Sequence, residues 1–431
     1  MRTYNLFPAL VFVVIASAPA FGQAATDQTL TLRQAEGIAI QNHPQIQIAS
    51  DLASAASAQV TEARSAYYPT VYGSATGVDA EHNSRIAAGA LNNPIVFERF
   101  AEGVTVNQMV TDFGRTHELV KSSKERADAQ RENVVTSRAD VLLAVDQAFY
   151  GVLRAKALLA VGEQTVKERQ LVADQIGELA KNKIRSGLDA SFANVNLAQA
   201  QLLLIQGQND LQSSFAELSA ALGYSTPGTF QLVEQDVSPA PPADSDDAIA
   251  QALKNRPELI GLRLEAQSAH SYATAERDLW FPTISAVGVA GLVPFNGTEL
   301  SPRYAAGGVN LNIPIFNGHL YGALRSEANS RARAEDQSLR DLQDRVARDV
   351  RTAWLNANSA FQRLAVTRQF LDQANMALDL AQSRYQLGLS SIVELSQAQL
   401  NQTQAQIAAA TAKYDYALDL RALEFQIGNL H

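Results

Sequence analysis

The chain has 431 residues, a formal net charge of −9 and no cysteine. The acidic balance argues against nucleic acid as a partner, because phosphate backbones demand basic clusters. The missing cysteine excludes disulfides, thiol catalysis, cysteine metal sites and a lipid carried on an N-terminal cysteine.

Residues 1–24 read as a secretory signal: Met1-Arg2, an apolar run over 6–16, then small residues with cleavage sites after Ala20 or Ala24. The apolar run is too short for a membrane anchor, and no later segment holds the roughly 18 continuous apolar residues of a spanning helix. An exported chain of this kind is periplasmic, secreted or part of an outer-membrane β-barrel.

A first repeat covers 25–222. A short helix over 32–42 ends near His43-Pro44, and a second over 45–67 stops before Pro69, because the residue preceding proline is driven out of the helical region. A strand is predicted over 70–78, then a polar loop with Asn92-Asn93-Pro94, then a strand over 101–110. In the latter Val104, Val106 and Val110 alternate with Thr105, Asn107 and Met109. A proline-free run from Gly114 to Gly187 reads as one helix of roughly 100 Å, far beyond the ~10–14 residues of an ordinary helix. After a turn at Ser186-Gly187-Leu188 a returning helix completes a hairpin over 115–222. Along it Leu197, Gln201, Leu204, Gln208, Leu211, Phe215, Leu218 and Leu222 alternate spacings of four and three, the interval of a coiled coil. The segment 223–245, with Pro227, Pro239, Pro241 and Pro242, reads as a linker.

The order then returns over 246–431. Asn42-His43-Pro44-Gln45-Ile46 is echoed by Asn255-Arg256-Pro257-Glu258-Leu259, and Tyr68-Pro69-Thr70 by Phe281-Pro282-Thr283, at one common offset. Strands are predicted over 283–293 and 304–313, and a second helical hairpin over 319–428. Its returning arm carries Leu395, Ala398, Gln402, Ala405, Ala409, Ala412 and Tyr416 at the same alternating interval. Two copies of one helix–strand–strand–helix plan are an internal duplication.

Each half supplies two strands of about ten residues, the length that crosses a bilayer when tilted. Aromatic residues mark their ends: Tyr67, Tyr68, Phe113, Trp280, Phe281 and Phe316 on the helix side, and Phe97, Phe100, Phe295 and Tyr304 on the other. That placement suits a membrane-interface girdle in contact with outer-membrane lipid. Four strands cannot close a membrane barrel, and an open edge in hydrocarbon costs several kcal/mol for each unpaired backbone group. Several copies must share one barrel; three would give twelve strands with cyclic closure.

The chain resembles the TolC family of outer-membrane factors from about Leu30 to Gly428. The resemblance rests on the duplicated plan, the Tyr68-Pro69 and Phe281-Pro282 pairs, and the strand-exit turns Asp112-Phe113-Gly114-Arg115 and Ile315-Phe316-Asn317-Gly318. A further match is Tyr385-Gln386-Leu387-Gly388-Leu389-Ser390 ahead of Ile392-Val393-Glu394-Leu395. It implies a mostly helical fold with membrane β-structure: a homotrimer whose twelve-stranded barrel continues as a long periplasmic α-barrel. Such a tube is an exit duct for efflux or type I secretion, joined through a periplasmic adaptor to an inner-membrane transporter. The resemblance further implies adaptor docking at Gly187, Leu188, Gly388, Leu389 and Ser390. It makes Glu394 a carboxylate ring at the narrow end of the tube. Gln397 stands where relatives have a second acid, and the exit turn departs from pattern at Asn317 and His319.

Other classes fare worse. The six histidines show no metal-ligand spacing, there is no Gly-x-Ser-x-Gly elbow or phosphate loop, and three methionines make no copper path. No enzyme, cofactor or metal site is expected. A periplasmic adaptor would carry one hairpin flanked by compact β-domains, and a coiled-coil spacer leaves the Tyr-Pro strand starts unexplained.

Overall fold

A computed structural model describes residues 29–79, 99–234, 240–296 and 301–430. The signal segment 1–24, its cleavage sites, the loop at 92–94 and Phe97 lie outside the described residues. In chain order the elements are β1 (Thr29–Leu30), α1 (Leu32–Asn42), α2 (Pro44–Ser65), β2 (Thr70–Val78), β3 (Arg99–Thr111), α3 (Arg115–Lys181) and α4 (Gly187–Ala221). The second half follows with β4 (Gln231–Leu232), α5 (Ser245–Asn255), α6 (Pro257–Arg277), β5 (Thr283–Asn296), β6 (Arg303–Asn312), α7 (Leu320–Gln386) and α8 (Ile392–Ile427).

Local chemistry sets the breaks. Thr31 caps α1 through a reciprocal box with Gln34, and His43 accepts from the Gln45 amide to start α2, whose first residue is Pro44. The second half repeats this, with Asp244 capping α5 and Pro257 opening α6. In both halves a long helix end folds back onto this kink. Gly223 (φ 83°), which follows α4, lies against Asn42, and Gly428 (φ 83°), which follows α8, lies against Arg256; an added Cβ would meet backbone at 3.0 and 3.1 Å. Both glycines are needed for a left-handed cap and for a close approach.

α3 and α7 each have 67 residues. No described helix is long and apolar enough to cross a membrane. The α3–α4 seam differs from the predicted one. Its leucines Leu197, Leu204 and Leu211 are half-buried, but the alternate positions are Ala193, Ala200 and Gly207, while Gln201 and Gln208 are exposed. Gly207 packs on the Leu159 backbone and Gly162 on that of Leu204, each with 3.3 Å between an added Cβ and the opposing Cα. Small residues win these positions because the helices run too close for an amide side chain. In α8 the expected seam buries Leu395, Ala398, Gln402, Ala405, Ala412 and Tyr416, with Ala409 half-buried.

Two of the apolar cores sit midway along α3 and α7, and another lies at the hairpin tips around Ile176, Leu378 and Leu395. One gathers Leu32, Val145, Phe149, Leu218, Leu222 and Phe230; a second gathers Ala252, Leu259, Val350, Ala357 and Leu423. The 223–245 linker is not wholly irregular: Gln231–Leu232 pairs in parallel with Thr29–Leu30, tying the start of the described chain to the junction of the halves. Within this belt Asp146 is fully buried. Arg421 reaches Asp146 at 2.8 Å, Glu36 at 2.5 Å and Glu424 at 2.7 Å, so one guanidinium serves three carboxylates on α1, α3 and α8.

The remaining strands form one antiparallel sheet in the order β2-β3-β5-β6. The ladders reach past the predicted strands: β3 begins at Arg99, and β5 runs on to Asn296. The outer edges of β2 and β6 have no strand partner among the described residues.

Candidate functional site

Register sorts the sheet into two chemically different faces, because directly opposed residues project to the same side. One face carries Val71, Ala75, Val104, Val106, Ile284, Ala286, Ala290, Leu292, Ala305, Val309 and Leu311, with Glu102 and Arg303 flanking Leu292 in the row far from the helices and Gln108 beside Ala286 near them. The other carries Thr70, Tyr72, Ser74, Thr105, Asn107, Ser285, Asn310 and Asn312, with Val287 and Val289 among them. The apolar face is left open: Val104, Val106, Val309 and Leu311 are all exposed. Apolar side chains outward on one face and hydroxyl and amide groups on the other are what a wall between lipid and water requires.

The six aromatic residues predicted at the helix-side strand ends are all exposed. The fold brings two of them together, Phe113 and Phe281, with ring centroids 6.5 Å apart. Trp280 meets Tyr321 edge-on at 5.8 Å. On the far side Phe100 is exposed, and the Tyr304 ring lies flat over Gly103 and Gly291, where a Cβ would overlap it. The two exit turns differ. In the first, Phe113 and Gly114 are left-handed and Asp112 accepts from the Thr116 amide at 2.7 Å. In the second, Gly318 and His319 take the left-handed positions, and no side chain caps α7.

The far ends of the hairpins form a second cluster. Residues 182–186 make the first turn, so Gly187 and Leu188 are the opening residues of α4 and not the turn itself. The left-handed residue of that turn is Lys183 (φ 59°), matching Gly388 (φ 75°) in the second. Three residues on, Ser186 and Ser391 cap α4 and α8, and three further on stand Asp189 and Glu394. The tips therefore correspond through their capping serines, so Lys183-Ile184-Arg185 in the first hairpin stand where Gly388-Leu389-Ser390 stand in the second. The repeated Ser-x-x-acid signature in Ser186–Asp189 and Ser391–Glu394 is the sequence signal that reveals this. Leu188, Leu389 and Ile184 are exposed, Ser390 half-buried.

Both acids engage α7. The Tyr385 hydroxyl donates to Asp189 at 3.3 Å, Arg185 donates to the Tyr385 carbonyl at 2.6 Å, and its guanidinium lies 4.4 Å above the Tyr385 ring. Burial, with the Asp189 carboxylate, pushes the Tyr385 phenol up. Glu394 pairs with Arg384 at 3.3 Å, and Gln397 bonds instead to Asn401 at 3.0 Å. Asp189, Arg185 and Arg384 were not foreseen as site residues. Among the described residues no group of three or more side chains could hold a metal ion.

The sequence profile of the outer membrane efflux protein family matches residues 37–224 and 248–429, one block for each repeat. The chain belongs to that family. Among curated relatives, the outer membrane efflux protein BepC of Brucella suis biovar 1 (strain 1330) is 24% identical over 421 residues, covering 95% of this chain and 88% of that one. The outer membrane protein TolC of Vibrio cholerae is 24% identical over 404 residues, covering 90% and 89%. Among solved structures, the outer-membrane channel OprN superposes with a TM-score of 0.82 at 17% identity, covering 92% of this chain and 90% of that one. The outer membrane protein VceC from Vibrio cholerae gives 0.79 at 17%, covering 92% and 96%. The protein is thus an outer-membrane efflux channel component, its long helices extending into the periplasm, and its relatives are channel proteins.

Proposed function

We propose that three copies of this chain close a twelve-stranded barrel in the outer membrane, β6 of each pairing with β2 of the next. The observation that carries this is the sheet itself: one mainly apolar face, one polar face and two edges with no strand partner among the described residues. Edges of that kind are untenable in hydrocarbon unless another copy covers them. The exposed rings Tyr67, Tyr68, Phe113, Trp280, Phe281 and Phe316 then sit at the periplasmic border of the lipid. The twelve helices of three hairpin pairs, six long and six returning, enclose a passive duct, coupled through a periplasmic adaptor to an inner-membrane transporter. The adaptor meets the tips at Gly388, Leu389 and Ser390 and at Gly187 and Leu188, with Ile184 beside them.

At the narrow end three copies of Glu394 form a carboxylate ring that favours cations. The Arg384 partner tempers that ring, and Gln397 adds no charge to it. Recovery from the outer-membrane fraction as a trimer by mass, converted to monomer on heating in detergent, is the expected result. Recovery as a soluble monomer would contradict the reading. Leu389→Arg is expected to abolish crosslinking to the adaptor while trimers persist; retained crosslinking removes Leu389 from the docking surface.

A further inference from the structure

A second feature near the tips has no place in the duct described so far. Arg169 lies on α3 twelve residues above its end at Lys181, roughly 18 Å at 1.5 Å per residue, and its side chain is only 5% exposed. The half-buried Arg115, Arg256, Lys413 and Arg421 each pair with a carboxylate, whereas among the described residues Arg169 has none within ion-pair distance. The neighbouring Glu168 accepts from Gln164 at 2.8 Å and acts on Arg169 only through space, partly opposing the effect of burial. One guanidinium nitrogen, Nη2, donates to the Gln399 carbonyl at 2.9 Å and to the Thr403 hydroxyl at 3.2 Å. Among the described residues the Nε and Nη1 groups have no hydrogen-bond partner. Burial pulls the Arg169 pKa down from its ordinary value, the mark of a charge held at a cost.

Arg169 lines a half-open cleft of about 250 Å³ between α3, α4 and α8. Arg169 is the one ionisable side chain lining it; Thr165, Asn196, Gln199, Ser396 and Gln399 supply neutral polar atoms. Asn196 spends its amide on Ser396 at 3.0 Å and on the Gln399 side-chain oxygen at 3.2 Å. Thr165 and Thr403 spend their hydroxyls on carbonyls of their own helices. What remains are the Arg169 fork, the hydrogen of the Ser396 hydroxyl and the Gln199 amide, which can turn its N–H groups to the cleft. A pocket of unspent donors with one unneutralised positive charge is complementary to an anion, and its size and lack of a second cation suit a small monovalent one.

We propose that this cleft is a binding site for a small inorganic anion of the halide class, bridging Arg169 of α3 to α4 and α8. The bound anion neutralises the guanidinium and fastens the returning arm of the second hairpin to the first hairpin. Occupancy thereby stabilises the present arrangement of the two tips. The site is separate from the Glu394 ring and from the exposed docking residues.

The test uses the purified full-length protein in detergent at constant ionic strength, with sodium bromide titrated against sodium gluconate, whose anion is too bulky for the cleft. The expected result is a saturable rise in melting temperature with bromide. In crystals grown in bromide, an anomalous peak is expected within hydrogen-bond distance of Arg169. Arg169→Met is expected to abolish both, and Ser396→Ala to weaken bromide at least several-fold through loss of one donor to an ion. Equal melting curves in bromide and gluconate, with no anomalous peak beside Arg169, would overturn the proposal. So would an undiminished bromide effect in Arg169→Met. Should Arg169→Met fail to fold, the wild-type titration and the Ser396→Ala shift still decide it.

Discussion

Replacing Val106 by arginine asks whether the open face of the sheet meets lipid or water. Val106 stands directly opposite Val71 and Gly288 in the central rows of the apolar face, 37% exposed in the single chain. If that face lies in hydrocarbon, arginine near the midplane costs about 2–4 kcal/mol per copy, hence roughly 6–12 kcal/mol for a three-copy barrel. If the face lies in water, an exposed valine-to-arginine change stays within about 0.5 kcal/mol. Thr105→Arg is the internal control. Its neighbours across the ladder are Tyr72 and Val289 on the opposite face, which in the proposed barrel fronts a water-filled lumen, so it is expected to be near neutral. The readout is the fraction of protein running as trimer on unheated detergent gels from the outer-membrane fraction, backed by urea midpoints in vesicles. Val106→Arg should lose most of its trimer while Thr105→Arg keeps it. Tolerance of Val106→Arg, or equal loss in both variants, would refute the assignment of faces.

Three further outcomes are expected. Gly223→Ala and Gly428→Ala each force a left-handed alanine against backbone at about 3 Å, and each should destabilise the belt by roughly 1–3 kcal/mol in thermal or denaturant unfolding. Full burial, with repulsion from Glu36, pushes the Asp146 carboxyl up to about 7 even though Arg421 pulls it down. Its folded value lies above the unfolded value near 4, so the fold binds that proton more tightly. Stability from this group is complete below about pH 4, is lost as pH rises to about 7, and is flat above. Melting temperatures of Asp146→Asn should show a shallower fall over that window than wild type; identical slopes would exclude Asp146. In planar bilayers Glu394→Ala should lower cation selectivity and Arg384→Ala should raise it, since each removes one side of the 3.3 Å pair. Unchanged selectivity in both would place the constriction elsewhere.

Much of the architecture was legible because its signals are long. Proline-free runs of helix formers gave the two rods, and the paired His43-Pro44 and Arg256-Pro257 kinks gave the duplication. Alternation of valine with threonine and asparagine gave strands with two unlike faces. What escaped notice depended on contacts between distant segments. The seam glycines Gly162 and Gly207 carry no hydrophobic signal, so the neighbouring glutamines took their place in the pattern. Gly187 looked like a helix stop, yet the left-handed residue is Lys183, which advertises nothing of the kind. The Arg421 cluster joins residues of three helices, with Glu36 and Arg421 385 positions apart, and the Arg169 cleft joins α3 to α8 across 230 positions. No local pattern could announce either.

The shared barrel itself is open to direct chemical test because the native chain contains no cysteine. In one chain β2 and β6 are separated by β3 and β5, so their backbones lie roughly 14 Å apart at about 4.8 Å per strand. That exceeds the ~7 Å limit for a disulfide. Cysteine at Ser74 combined in turn with cysteine at Ala306, Gly308 or Asn310, all on the polar face, should therefore yield no intrachain bridge. Oxidation in intact outer membranes is expected to give, for the pair in register, a covalent species of three chains that reducing agent collapses to one. Absence of interchain bridges from every pair in the series would contradict closure of the barrel by neighbouring copies.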